Sequence, residues 1–253
     1  MVKASETFAF LCETAEHLAK TNHLATLFSA PLYDALEKIQ QEAFFLSYRD
    51  GYLVLLEKES LKKGGLTVDI EPRAGEQRSF PAPKQGDLAR ALGKSKTIVD
   101  ATTGWGQDSL AMFRMGFQMT CIERSPVMAA LLHDAFERLA QCDWVKNLQL
   151  DTPKLLHGNA IDLLAHLETP PDCIYLDPMF PPKRKKSALA KKSMQVLHEL
   201  IGQDDDKNLL FQAALNATGK RVVVKSPDYA EPLGGKPAQS FAGKLVRYDV
   251  YLK

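Results

Sequence analysis

The sequence has no long apolar run. No stretch reaches the roughly 18–20 apolar residues that a membrane-spanning helix needs, so no segment reads as a transmembrane helix. Near the start only Phe8-Ala9-Phe10-Leu11-Cys12 is apolar, and Glu13 and Glu16 follow at once. That run is too short and too soon acidic for a signal-peptide core. Cysteine is scarce. Cys12, Cys121, Cys142 and Cys173 stand far apart without a Cys-x-x-Cys pair, so neither a disulfide framework nor a zinc site is expected, and a cytoplasmic location is. The six histidines show no ligand spacing, and no metal is expected. There is no excess of one charge. Lys and Arg number 32 against 31 Asp and Glu, a net charge of +1. This excludes a uniformly basic nucleic-acid coat and leaves room for a local basic patch. No internal repeat is present. What remains is a chain of 253 residues, 45% hydrophobic and 25% charged, ordinary for one large domain or one domain with a small lobe.

The chain divides near residue 85. In residues 43–57 two apolar runs flank Asp50-Gly51, a strong hairpin signal because such turns need positive φ. Leu66 to Ile70 reads as a third strand and Leu32 to Gln41 as a short helix. Residues 71–86 hold three prolines and two glycines and read as an irregular connector. Residues 1–85 are therefore expected to form a small α+β lobe. From residue 86 strands alternate with helices. Strands are expected at Thr97–Asp100, Met119–Ile122, Leu155–His157, Asp172–Leu176, Arg221–Val224 and Leu245–Tyr251. Helices are expected from Ser109, over 126–140, over Leu189–Ile201, and from Asp206 to Leu215. Such alternation implies an α/β domain, residues 86–253, with a mostly parallel sheet covered on both faces. Ligands of such sheets lie outside the carboxyl ends of the strands, so those ends carry the functional reading.

After the first strand of this domain comes Asp100-Ala101-Thr102-Thr103-Gly104-Trp105-Gly106-Gln107-Asp108. Gly104 and Gly106 allow close backbone approach to a ligand. A dinucleotide fingerprint requires a third glycine where Ser109 stands. The pattern, with Asp100 ahead of the glycines, instead resembles the first motif of S-adenosylmethionine-dependent methyltransferases. Glu123 ends the second strand, roughly 20 residues on, where a carboxylate can take both ribose hydroxyls. NAD enzymes share that geometry. Asn159, in His157-Gly158-Asn159-Ala160, can either meet an adenine or cap a loop. Leu176-Asp177-Pro178-Met179-Phe180-Pro181-Pro182 ends the fourth strand. It resembles the (Asp/Asn)-Pro-Pro-(Phe/Tyr) motif of amine methyltransferases, with Met179 in place of the second proline. An exocyclic amine is a poor nucleophile because its lone pair is delocalised into the ring. An acceptor pair, the Asp177 side chain and the Pro178 carbonyl, would favour a pyramidal nitrogen, and Phe180 offers a stacking face. In residues 183–192 six of ten are basic (Lys183, Arg184, Lys185, Lys186, Lys191 and Lys192) and none is acidic, a patch suited to phosphates beside the target base. Lys225 follows the fifth strand at the same edge, either to contact RNA or to cap the sheet.

The run Tyr175-Leu176-Asp177-Pro178-Met179-Phe180-Pro181, with Lys185-Lys186-Ser187-Ala188-Leu189 and Lys220-Arg221-Val222-Val223-Val224-Lys225, resembles the small-subunit ribosomal RNA guanine-N2 methyltransferase J family. The resemblance is close over roughly residues 86–253, and Asp-Pro-Met-Phe-Pro is itself the family's form of the loop. It implies a class I S-adenosylmethionine-dependent methyltransferase fold, Rossmann-like, with a seven-stranded sheet whose last strand is antiparallel. It implies S-adenosylmethionine as methyl donor and 16S rRNA or the small ribosomal subunit as partner. Donor contacts then fall on Gln107 and Asp108, Glu123 and Arg124, Asn159 and Ala160, and Asp177. Two departures stand out: Gln107, where the family commonly has Arg, and His157-Gly158-Asn159-Ala160, where serines are common. Adenine-N6 transfer, an NAD-dependent oxidoreductase and a non-catalytic RNA-binding protein remain as competing readings of the residues alone.

Overall fold

The computed structural model describes residues 8–39, 42, 44–58, 65–70, 81–149, 151–180, 206–243 and 245–253. The helix expected over Leu189–Ile201, Pro181 and Pro182, and the basic residues Lys183, Arg184, Lys185, Lys186, Lys191 and Lys192 lie outside them. The described residues fall into two compact units. Those within 1–70 and 125–138 form one, and those within 71–124, 139–189 and 203–253 form the other.

The first unit holds a four-stranded sheet of β1 (Phe8–Leu11), β2 (Leu32–Tyr33), β3 (Phe44–Arg49) and β4 (Tyr52–Glu57), in the order β2-β1-β3-β4. Helix α1 (Leu18–Leu27) joins β1 to β2. The Asp50-Gly51 hairpin forms as expected: both residues have positive φ (51° and 82°), and Arg49 pairs with Tyr52. Three local expectations change. Phe8–Leu11, which local pattern showed only as a short apolar run, is a buried strand between β2 and β3. The helix expected over Leu32–Gln41 does not form over the described residues 32–39. Leu32 and Tyr33 pair with Phe10 and Leu11, and only a 3-10 turn at Leu36–Lys38 remains. Here ladder bonds, Phe10 N–H to the Pro31 carbonyl and Cys12 N–H to that of Tyr33, override local helix preference. Leu66–Ile70 makes one antiparallel bridge, Leu66 to Leu55, rather than a strand. Val68 and Ile70 are nevertheless buried, so side-chain packing alone explains their apolar spacing.

The second unit is built on a seven-stranded sheet. The elements from residue 86 on, in chain order, are α2 (Gly86–Leu92), β5 (Thr97–Asp100), α3 (Gln107–Arg114), β6 (Gln118–Glu123), α4 (Pro126–Gln141, whose residues 126–138 belong to the first unit), α5 (Asp143–Leu148), β7 (Lys154–His157), α6 (Ala160–Leu164), β8 (Cys173–Leu176), α7 (Lys207–Ala217), β9 (Arg221–Pro227), β10 (Gln239–Ala242) and β11 (Val246–Leu252). The strand order is β10-β11-β9-β8-β5-β6-β7. Strands β5 to β9 run parallel, and β11 is antiparallel to both β9 and β10. Central parallel strands are buried on both faces, which is why Cys173-Ile174-Tyr175-Leu176 and Val222-Val223-Val224 are continuous apolar runs. On one face Val99, Ile122, Ile174, Leu176, Val222 and Val224 pack with Leu164 of α6 and Leu210, Phe211 and Ala214 of α7. Each such side chain contributes about 1.5–3 kcal/mol on burial. β10 had no apolar signature because it is an edge strand of largely exposed residues, Gln239-Ser240-Phe241-Ala242.

β5 has β6 on one side and β8 on the other. The chain therefore reverses its direction of winding beside β5, and a crevice opens between the loops that follow β5 and β8. The glycine turn and the Asp177 loop are those two loops.

Candidate active site

The turn after β5 is organised by Asp100. Its carboxylate accepts the Thr102 amide at 3.1 Å and the Ser109 hydroxyl. Burial pushes this carboxyl up to about 7, while the Ser109 and Thr102 bonds favour its ionised form. Asp100 is only 1% exposed, so it braces the turn from inside. Ser109, the residue that departs from the dinucleotide fingerprint, is likewise buried and ties the first turn of α3 to β5. Gly104 and Gly106 both have positive φ (52° and 70°). Gly106 is the left-handed residue that opens α3, a conformation that costs other residues a steric penalty.

Glu123 at the end of β6 is 3% exposed, so it is not a solvated strand-end charge. Its Oε2 accepts the Gly104 amide at 2.8 Å and joins the ends of β5 and β6. Arg124 lies 3.7 Å from Asp206. Gln107 is exposed at the start of α3. Asn159 caps α6, accepting the Ile161 amide at 2.9 Å, and Ala160 is buried behind it. The side-chain oxygen of Asn159 thus serves the local cap.

The densest polar cluster joins α3, β8 and β9. Lys225 Nζ donates to Asp108 Oδ2 at 2.7 Å and to Asp177 Oδ2 at 2.8 Å. The Tyr175 hydroxyl donates to the same Asp108 oxygen at 2.6 Å. Asp177 is held through its backbone as well, its amide donating to Thr102 Oγ1 at 2.6 Å. That bond crosses the crevice from the β8 loop to the β5 turn. Burial works against the charge on Lys225, but Asp177 and Asp108 outweigh it and raise the ammonium above the ordinary lysine range. Burial and the neighbouring Asp108 and Asp177 charges raise the Tyr175 phenol far above its usual range, so it stays a donor. Pro178 is buried, and the Phe180 ring has Lys207 Nζ 5.2 Å from its centroid.

The structure thus brings together Asp100, Gly104, Gly106, Asp108, Glu123 and Asp177. Tyr175, Thr102 and Ser109 belong to the same constellation, and the sequence reading did not single them out for a role there. Tyr175 and Ser109 are buried, and nothing in the local pattern separates them from core residues. Lys225, read from sequence as an RNA contact or a sheet cap, has its ammonium on two aspartates of this cluster. Among the described residues no group of three or more His, Cys, Asp or Glu side chains could hold a metal ion, and no helix is long and apolar enough to cross a membrane.

The charge pattern bears on what the crevice can hold. Asp100, Asp108, Asp177 and Glu123 stand around the turn, and Lys225 sits between two of them. This surplus of carboxylates suits a cationic sulfonium and disfavours an anionic pyrophosphate. The charge and the glycine turn of the residues present therefore fit S-adenosylmethionine.

Fold and site together define a class I S-adenosylmethionine-dependent methyltransferase. A family model described as "Putative SAM-dependent methyltransferase" matches residues 32–253. The chain is 38% identical over 248 residues to the ribosomal RNA small subunit methyltransferase J of Tolumonas auensis, covering 96% of each chain. It is 40% identical over 227 residues to the protein of that name from Aeromonas salmonicida, covering 87% of this chain and 91% of the other. Among solved structures, a SAM-dependent methyltransferase from Neisseria gonorrhoeae aligns with a TM-score of 0.71 at 26% identity, over 97% of this chain and 96% of that one. The chain belongs to the ribosomal RNA small subunit methyltransferase J family. It is an enzyme, and its cofactor is S-adenosylmethionine.

Proposed function

We propose that the enzyme methylates the exocyclic N2 amine of a guanine in 16S rRNA. The observation that carries this reading is the placement of Asp177. It stands at the carboxyl end of β8, bonded across the crevice to the β5 turn, with its side chain held by Lys225. When bound, S-adenosylmethionine supplies a methyl group activated by a positively charged sulfur. Asp177 and the Pro178 carbonyl accept the two N–H bonds of the amine and localise its lone pair on nitrogen. A carboxylate can accept about four hydrogen bonds, so the bond from Lys225 does not exhaust Asp177. Phe180 stacks on the base, which must leave any helical stack to reach the crevice. Asp108, Gln107, Glu123, Arg124, Asn159 and Ala160 line the donor side, and Asp100 shapes the turn beneath it. No histidine or metal is required: the donor is already electrophilic and would leave as neutral S-adenosylhomocysteine, and the methylated nitrogen, acidified by its new positive charge, would lose one proton to solvent. The relatives' shared name, which specifies ribosomal RNA of the small subunit, supports the choice of substrate.

We assign catalysis to residues 86–253 and regard residues 1–85 as an accessory lobe. We place the enzyme in the cytoplasm, where free rRNA and ribosomal subunits are found. The deciding experiment is transfer of labelled methyl to small-subunit particles and to free 16S rRNA, with mass analysis of the nucleosides. N2-methylguanosine is the expected product. N6-methyladenosine would move the reading to the other amine, and no product with either substrate would move it to another substrate.

The basic run at Lys183, Arg184, Lys185, Lys186, Lys191 and Lys192 is assigned to rRNA phosphates. Replacing Lys183, Lys185 and Lys186 together by alanine should weaken rRNA binding. It should also make the slope of log K against log salt shallower by roughly 2. A slope equal to that of the wild type would reduce the run to a solvated surface.

A further inference from the structure

Lys225 occupies a place that phosphate binding does not explain. It lies on β9, between β8 and β11, and its side chain is only 23% exposed. Its ammonium bonds two carboxylates from different elements, Asp108 of α3 and Asp177 of the β8 loop. Asp108 Oδ2 also accepts the Tyr175 hydroxyl, so it is an anchor for the lysine. Asp177 is fixed by Thr102 through its amide. Lys225 therefore acts where the backbone bond does not, on the orientation and charge of the Asp177 carboxylate. Two carboxylates on one cation are near enough to repel each other strongly if that cation is removed. The other titratable groups facing this cluster are Tyr175 of β8 and Tyr248 of β11. Asp100 of β5 is in electrostatic reach of both aspartates, and Asp87 of Tyr248. The tyrosines are neutral at working pH, and Asp100 and Asp87 add only negative charge. Lys225 is thus a cation that both carboxylates share.

We propose that Lys225 is a positioning residue for methyl transfer: its ammonium, shared between Asp108 and Asp177, keeps both carboxylates charged and aims that of Asp177 at the target amine. The inference rests on Asp177 being the amine acceptor and goes beyond it by assigning what holds that acceptor in its working state.

The test compares Lys225→Met and Lys225→Arg with the wild type. Lys225→Met should lower kcat by about ten- to a hundredfold, the scale of a misaligned reacting group, with little change in KM for rRNA or in the salt dependence of binding. The acid limb of its kcat–pH profile should move to higher pH, because a carboxylate pair without its cation takes up a proton more readily. Lys225→Arg should return the limb towards the wild-type position even if kcat stays low. A readout without donor or RNA is carboxyl-carbon NMR of aspartate-labelled protein, in which the first protonation of the pair should occur at higher pH in Lys225→Met than in the wild type. An unshifted limb and unshifted aspartate titration, with weaker rRNA binding and a shallower salt slope, would overturn the proposal and make Lys225 an RNA contact. If wild-type protein made no N2-methylguanosine, the reading of the reaction would fall by itself, and the NMR titration would still judge the lysine.

Discussion

Replacing Asp177 by alanine should reduce kcat by about a thousandfold, the scale seen when an oriented polar group that acts on the transition state is removed. The amine would lose a charged acceptor, and its lone pair would remain delocalised into the ring. Binding of S-adenosylhomocysteine should persist, because Asp100 and Glu123, which brace the glycine turn, do not depend on the Asp177 side chain. Asp177→Asn keeps an acceptor oxygen but no charge for Lys225, and should fall between the wild type and Asp177→Ala. The measurements are single-turnover methyl transfer and calorimetric titration with S-adenosylhomocysteine. Near-wild-type turnover by the alanine variant would remove Asp177 from the mechanism.

The second large effect is expected at Glu123. Its carboxylate is buried and already accepts the Gly104 amide. Glu123→Ala removes that bond and the ribose acceptor together. An unpaired buried donor costs about 1–3 kcal/mol, so the melting temperature should fall, and loss of the ribose acceptor should lower affinity for S-adenosylhomocysteine by about ten- to a hundredfold. Glu123→Gln separates the two roles. Its amide oxygen can still take the Gly104 N–H, so thermal stability should be largely retained. Its NH2 group cannot accept a ribose hydroxyl, so affinity should still drop. Unchanged affinity in Glu123→Gln would leave this residue as a brace of the turn and nothing more.

Much of the fold was legible because its signals are local. Continuous apolar runs mark strands buried on both faces, and the 3.6-residue spacing over 126–140 marks α4. The Asp50-Gly51 pair marks its hairpin through positive φ alone. What was missed depended on partners. β10 is a polar edge strand that exists because β11 pairs with it, as Gln239 with Val250. Leu32 and Tyr33 are strand residues only because Phe10 and Leu11 lie alongside them.

The same division runs through the site. Sequence alone determined its chemical vocabulary: the glycine turn after β5, the acid at the end of β6, and the Asp-Pro-Met-Phe loop after β8. Each is a short segment whose conformation and residue types are set within a few positions, so one-dimensional reading suffices. Only the tertiary structure decided how those parts are wired. It put Ser109 against Asp100, Thr102 against the amide of Asp177, and Tyr175 and Lys225 on Asp108. Asp108 and Lys225 are 117 residues apart, and no local spacing encodes such a contact. It arises because parallel strands distant in the chain deliver their carboxyl ends to one edge, where burial forces each charge to find a partner.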